Sequence, residues 1–243
     1  MRRFFTQTIP VVGERMSLNG DEARHMITVL RMVRGDELLL VSGDGTEYSA
    51  VIDECGKDSV ILSVLSEKEG TAEPKTHVTL FQCLPKAGKV ETIIQKCVEL
   101  GIHDVQLVLS SRCVVKPDNK DNKLIRYNRI SREAAKQCGR AIAPEIKGAV
   151  KLSECDFSKF ELVLVAYENE QELGLKGLLR RIEKKVESVA LVIGPEGGFE
   201  HGEVDFILNS SHNAHSVSLG RRILRTETAG MAMLAMLMYE MED

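Results

Sequence analysis

Ala190–Glu200 reads ALVIGPEGGFE: an apolar run to Ile193 breaks into Gly194, Pro195, Glu196, Gly197 and Gly198, and FEHGEVDFIL follows with helical character. A short apolar run without alternation reads as a strand buried on both faces, the kind found in parallel sheets. Strand, glycine turn and helix together make the repeating unit of an α/β fold, where ligands collect beyond the carboxyl ends of the strands. Glycines let a turn bring its backbone close to a flat ligand. The turn has neither the Walker spacing with its lysine nor Gly-x-Gly-x-x-Gly, and Glu196 would repel a phosphate. A nucleoside without phosphates therefore fits better than a nucleotide. A tight strand-to-helix connection holding no ligand is equally consistent with this motif alone.

The same rhythm extends outward. Strands are expected at HVTLFQCL (77–84), DVQLVLS (104–110), ELVLVAY (161–167), SVALVIG (188–194) and HSVSLG (215–220), with helical patterns between them. In KVETIIQKCVELG, Val90, Ile93, Ile94, Cys97 and Val98 share one helical face, and Gly101 sits where a helix stops. A second turn, SLGRRILRTETA, places Gly220 after a strand, with Thr226 as an expected N-cap and Glu227 at the positive end of the next helix. That helix, TAGMAMLAMLMYE, is apolar almost all round, which predicts burial in the core or against a partner subunit. Its methionines read as packing rather than as a cofactor box.

Before Lys75 the pattern differs. RRFFTQ, ELLLVS, EYSAVIDE and SVILSVLS alternate with turn signals, and one helix is expected in NGDEARHMITVLRMV, capped by Asn19 or Asp21. A small barrel with one helix fits. The polar stretch EKEGTAEPK (67–75) sets the expected boundary, giving domains 1–70 and 75–243.

The composition, 43% hydrophobic and 28% charged, excludes disordered and collagen-like classes. No apolar run is long enough for a membrane helix, and the start lacks the apolar core of a secretory signal. Six scattered cysteines without Cys-x-x-Cys spacing point to a reduced cytoplasmic setting, small buried thiols and no metal site. Charge is uneven: residues 71–150 carry 14 basic and 8 acidic side chains, whereas both flanks are net acidic. Within that stretch Arg129, Arg132, Lys136 and Arg140 fall on one helical face, opposite Ile130, Ala134, Gln137 and Ala141. Such a face suits phosphates, with a solvated charged face as the alternative. Lys86, Arg112 and Arg31 would extend it. Aromatic residues are few and Trp is absent, so base-stacking platforms are not indicated.

IGPEGGF together with LGRRILRTETA resembles the signature pair of the SPOUT superfamily of knotted methyltransferases, and within it the bacterial 16S ribosomal RNA uracil-N3 methyltransferase family. HMITVLRMVRGD, PKAGKVETIIQKCVELG, SSRCVV and RISREAAKQCGR, followed by APEI, continue the resemblance in order along nearly the whole chain. The match in the first domain is looser, carried by His25, Leu30, Arg31, Gly35 and Asp36. The resemblance implies a PUA-like RNA-binding β-barrel, a mainly parallel α/β domain tied in a trefoil knot, S-adenosylmethionine as methyl donor, 16S ribosomal RNA or the small subunit as substrate, and a homodimer. It places the cofactor against Leu164, Val165 and Ala166, against Gly194, Pro195, Glu196, Gly197 and Gly198, and against Leu219, Gly220, Arg222, Ile223, Leu224, Arg225 and Thr226. Catalytic candidates are the motif carboxylates Glu196 and Glu227 and the cation Arg225, which would stabilise charge on the uracil oxygens or, alternatively, hold the loop. RNA-contacting candidates are His25, Arg31, Lys86, Arg112, Arg129, Arg132, Lys136 and Arg140. A SPOUT enzyme acting on transfer or large-subunit RNA, and a non-catalytic assembly factor, are the rival readings.

Overall fold

The computed structural model describes residues 1–86, 88–115, 121–182 and 184–241, with the side chain of Asp121 left aside. The chain divides into two compact units. One comprises residues 1–73 with 135–143, and the other residues 74–134 with 144–243.

The first unit contains β1 (Arg2–Phe5), β2 (Arg15–Asn19), α1 (Gly20–Arg24), β3 (Glu37–Val41), β4 (Thr46–Cys55) and β5 (Ser59–Glu69) in a sheet of order β1-β3-β4-β5-β2. β1 runs parallel to β3; the other ladders are antiparallel. Phe4, Leu18, Met26, Leu38, Leu40, Ile52 and Leu62 fill the core. No ladder joins β1 to β2 among the described residues, so the expected barrel is open at that seam. β2 escaped the sequence reading because RMSLN buries only Leu18 and carries almost no apolar pattern.

The expected helix at 19–33 is also irregular. After α1 it widens into a π-helical turn at His25–Val29, and Arg31 follows at φ 52°, in the left-handed region that a non-glycine residue rarely enters. Asn19 occupies the cap position but makes no side-chain capping bond.

Residues 135–143 join this unit through Glu73. Its carboxylate accepts from Arg140 Nη2 at 2.7 Å and Nε at 3.0 Å, and from the backbone N–H groups of Ala141 and Ile142 at 2.8 and 2.9 Å. A carboxylate removed from water needs its lone pairs filled, and this set fills them. Arg140 is 3% exposed as a result, so it does not lie on the exposed basic face to which its spacing assigned it. Lys136 is similarly held by Glu22 at 2.7 Å. Gln137, expected on the packed side, is exposed.

The second unit contains β6 (His77–Cys83), α2 (Lys89–Glu99), β7 (Asp104–Leu109), most of α3 (Asp121–Cys138), β8 (Glu145–Lys151), β9 (Leu162–Ala166), α4 (Leu175–Leu179), β10 (Ser188–Ile193), α5 (His201–Asn209), β11 (Ala214–Val217) and α6 (Thr226–Met241). Its sheet, of order β11-β9-β10-β6-β7-β8, is parallel at every ladder. β9 and β10 bury nearly every residue, as strands covered on both faces should. β8 was missed because EIKGAVK, on the edge, buries only Ile146.

α6 packs against α2 and β10 through Ala229, Met233, Leu234, Leu237 and Met238, while Met236 and Tyr239 remain exposed. Of the six free thiols only Cys83 and Cys97 are buried; Cys55 is exposed and the others are half-buried, which corrects the expectation of six small core residues.

Candidate active site

Register brings the two glycine turns together. Ile193 pairs with Ala166 and with Gln82, and Val217 pairs with Ala166, so β6, β9, β10 and β11 end at one edge of the sheet. Leu164 and Val165 are buried in β9, and Ala166 is half-buried at its end.

Pro195–Gly198 closes a turn through the Gly198 N–H on the Pro195 carbonyl at 3.0 Å. Gly198 has φ 67°, in the left-handed region, and a Cβ there would displace the exposed Glu168 carboxylate, so glycine is favoured. The segment after β7 supports the same turn. Arg112 Nη1 donates to the Gly197 carbonyl at 3.0 Å, and the Ser111 N–H donates to Glu203 at 2.8 Å. In the second turn Gly220 has φ 116° and nothing lies within 4 Å of where its Cβ would be. Arg222, Ile223 and Arg225 are exposed, Ile223 at 87%. Leu219 and Leu224 are half-buried beside them.

Thr226 joins the turns. It begins α6, and its hydroxyl donates to the Gly194 carbonyl at 2.6 Å while accepting from Gln82 Nε2 at 2.9 Å. The role expected of it, an N-cap, understated this: the hydroxyl is committed across the sheet edge.

The residue that sequence reasoning missed is Lys89. Its ammonium lies 3.2 Å from Glu196 Oε1 and 3.0 Å from Glu227 Oε2. The backbone N–H of Lys86 adds a third contact, to Glu196 at 3.0 Å. A signal existed in the sequence: a cation at the first position of a helix opposes the helix dipole and calls for compensating carboxylates. The ion pair with Glu227, then the hydrogen bond to Glu196, raises the Lys89 ammonium above its ordinary range against desolvation. Burial pulls Glu196 upward, but its own and the Lys86 backbone N–H groups and the Lys89 ammonium outweigh it and hold the carboxyl below its usual range. Glu227 behaves alike: burial is outweighed by its own backbone N–H, by Lys89 and by the charge of Arg225.

The thiols beside this edge differ sharply. A hydrogen bond from Cys83 lowers Cys113 to about 6, with Ser110 assisting against burial. Cys83 is raised well above its usual value by the same bond and by burial.

The basic candidates divide. In the second unit Lys86, Arg129 and Arg132 are exposed, while Arg112 is drawn onto the Gly197 carbonyl. In the first unit Arg31 is exposed and His25 stacks edge-to-face on Phe4, with ring centroids 6.5 Å apart. Lys136 and Arg140 are spent on Glu22 and Glu73.

Residues 72–238 match the model of the RNA methyltransferase domain, and residues 18–65 that of the RNA methyltransferase PUA domain. Ribosomal RNA small subunit methyltransferase E of Bacillus subtilis is 32% identical, over 100% of this chain and 98% of its own. A methyltransferase of Legionella pneumophila, solved with S-adenosylmethionine bound, superimposes with TM-score 0.86 at 31% identity, covering 98% of this chain and 96% of that one. Ribosomal RNA small subunit methyltransferase E of Neisseria gonorrhoeae, also bound to S-adenosylmethionine, gives 0.87 at 27% identity, covering 98% and 97%. With two glycine turns at one edge of a parallel sheet and a PUA domain before it, the chain belongs to the RNA methyltransferase family that includes ribosomal RNA small subunit methyltransferase E.

Proposed function

We propose that this protein transfers a methyl group from S-adenosylmethionine to N3 of a uridine in 16S ribosomal RNA. The observation that carries the reading is the meeting of Gly194–Gly198 and Leu219–Thr226 at the carboxyl edge of β9, β10 and β11, tied by Thr226 to Gly194. The residues fit the cofactor. The turns offer backbone groups and apolar side chains without a phosphate-binding lysine, and the space around Gly220 is open. Leu164, Val165 and Ala166, the GPEGG turn, and Leu219, Gly220, Arg222, Ile223, Leu224, Arg225 and Thr226 would form its walls. Bound there, S-adenosylmethionine supplies an electrophilic methyl on a sulfonium.

The chain's own part is alignment and charge. Methyl displacement needs nucleophile, carbon and sulfur held in line. The uracil imide must lose a proton, and a cation that favours the imidate assists. Arg225, exposed beside the second turn, is assigned that role. Glu196 and Glu227, both paired with Lys89, set the loops, and the N3 proton passes to solvent water. Exposed Arg31 in the first unit and exposed Lys86, Arg129 and Arg132 in the second are assigned to phosphates, and His25 and Arg112 to RNA contact within their own units.

α6 follows β11 at the sheet edge yet returns to pack on β10 and α2, a path that supports trefoil threading. Met236 and Tyr239 line an apolar groove of about 350 Å³ with Leu175 and Leu179, which supports a homodimer through this face. We place the protein in the cytoplasm with its ribosomal substrate.

Nucleoside mass spectrometry of ribosomal RNA from cells with and without the gene tests the reading. Loss of 3-methyluridine from 16S RNA in the deletion strain is expected. Its persistence would overturn the assignment of base and substrate.

A further inference from the structure

We propose that Lys89 is a positioning residue for methyl transfer, holding the two walls of the cofactor pocket at a fixed separation. The proposal rests on the assignment of the two glycine turns to S-adenosylmethionine.

The walls, 32 positions apart in sequence at Gly194 and Thr226, meet at two ties. The inner tie is the hydroxyl of Thr226, buried between the Gly194 carbonyl and Gln82. The outer tie is Lys89, from a third segment that belongs to neither wall. Its Nζ reaches Glu196 in the first turn and Glu227 in the first turn of α6, at 3.2 and 3.0 Å. About a quarter of each of the three side chains is exposed, so the tie sits at the rim rather than in the core. Gly88, at φ 88°, turns the chain into α2 and delivers Lys89 to this position. The Lys86 N–H grips Glu196 from the same loop.

Without the ammonium, two carboxylates that share one cation would face each other uncompensated, and the rim of both walls would move apart. The inner hydroxyl tie would keep the fold intact. The effect therefore falls on the pocket and not on the core. Arginine can span two carboxylates with its planar fork, whereas methionine keeps the length of the stem and removes the charge.

The test compares Lys89→Met, Lys89→Arg and Gly220→Val in the full-length protein. Calorimetry gives the affinity for S-adenosylmethionine, steady-state kinetics on small ribosomal subunits give kcat and the KM for the cofactor, and thermal melting reports the fold. Lys89→Met is expected to weaken cofactor binding at least tenfold and to raise its KM by a similar factor, with the melting temperature within a few degrees of the parent and with Lys89→Arg recovering most of the affinity. In a double-mutant cycle Lys89→Met and Glu227→Gln should be strongly non-additive. Lys89→Met within twofold of the parent in affinity and KM, while Gly220→Val loses both, would overturn the role of Lys89 and leave the pocket standing. If Gly220→Val also binds normally, the pocket assignment falls with it.

Discussion

The hydroxyl of Thr226 donates to the carbonyl of Gly194 across 32 positions of sequence, at 2.6 Å, and thereby fixes the start of the last helix against the turn after β10. Gln82, fully buried in β6, donates to the same oxygen at 2.9 Å. Replacing Thr226 by valine keeps the shape, takes the donor from the half-buried Gly194 carbonyl and leaves Gln82 Nε2 with the Cys83 carbonyl alone. Thr226→Val should lose about 1–3 kcal/mol in urea unfolding, the order of cost of leaving a buried polar group unsatisfied. It should also weaken S-adenosylmethionine binding, measured by calorimetry.

Arg225→Lys keeps the charge and removes the planar fork. Single-turnover methylation with saturating cofactor and RNA should slow at least tenfold while cofactor affinity changes little. An unchanged rate would end the catalytic role of Arg225.

Arg140 and Arg129 lie on one helical repeat in sequence but in different environments. Arg140→Ala leaves the Glu73 carboxylate without its charge partner and should cost about 3–5 kcal/mol of stability, the usual penalty for breaking a buried pair. Arg129→Ala, at an exposed position, should leave unfolding unchanged, weaken RNA binding and reduce its salt dependence by about one ion. Denaturation and binding at several ionic strengths separate the two.

The hydrogen bond with Cys83, with Ser110 assisting, draws Cys113 down to about 6 and so should favour its thiolate at neutral pH, whereas burial pushes Cys97 to about 12 and Cys155 to about 11. Alkylation by iodoacetamide should select Cys113, with the rate rising through about pH 6 and levelling above it. Peptide mass spectrometry after brief labelling reads this directly. Cys83→Ser should change that midpoint by altering the hydrogen bond that sets it.

The rim tie has its own pH signature. Glu196 and Glu227 have folded values below the ordinary 4.5, so their contribution is fully present above that value and is lost as pH falls through the lower folded ones. Cofactor affinity should therefore be flat from neutral pH down to about 5, where both carboxylates remain ionised. In Lys89→Met the two carboxylates repel each other, so affinity, weak at neutral pH, should instead rise as falling pH protonates them.

Local pattern alone was enough for much of this protein. The buried strands β9 and β10 announce themselves as unbroken apolar runs, β6 and β7 as apolar runs with an inner polar residue, α2 by its spacing, α6 by being apolar almost all round, and the glycine turns by lying between strand and helix. Edge strands β2 and β8 were illegible because each buries a single side chain, too little for any hydrophobic pattern. Periodicity did not say which turns meet, which only the family resemblance implied; the order of the sheet rests on pairings as far apart in sequence as Leu80 with Leu191. Spacing put Arg140 on a basic face, and a carboxylate 67 positions away took it into the interior. Lys89 looked like one more surface charge until the tertiary structure set Glu196 and Glu227 on either side of it. Periodicity reports which side of an element is apolar; the partner of a charge depends on chain folding over distances that no local pattern encodes.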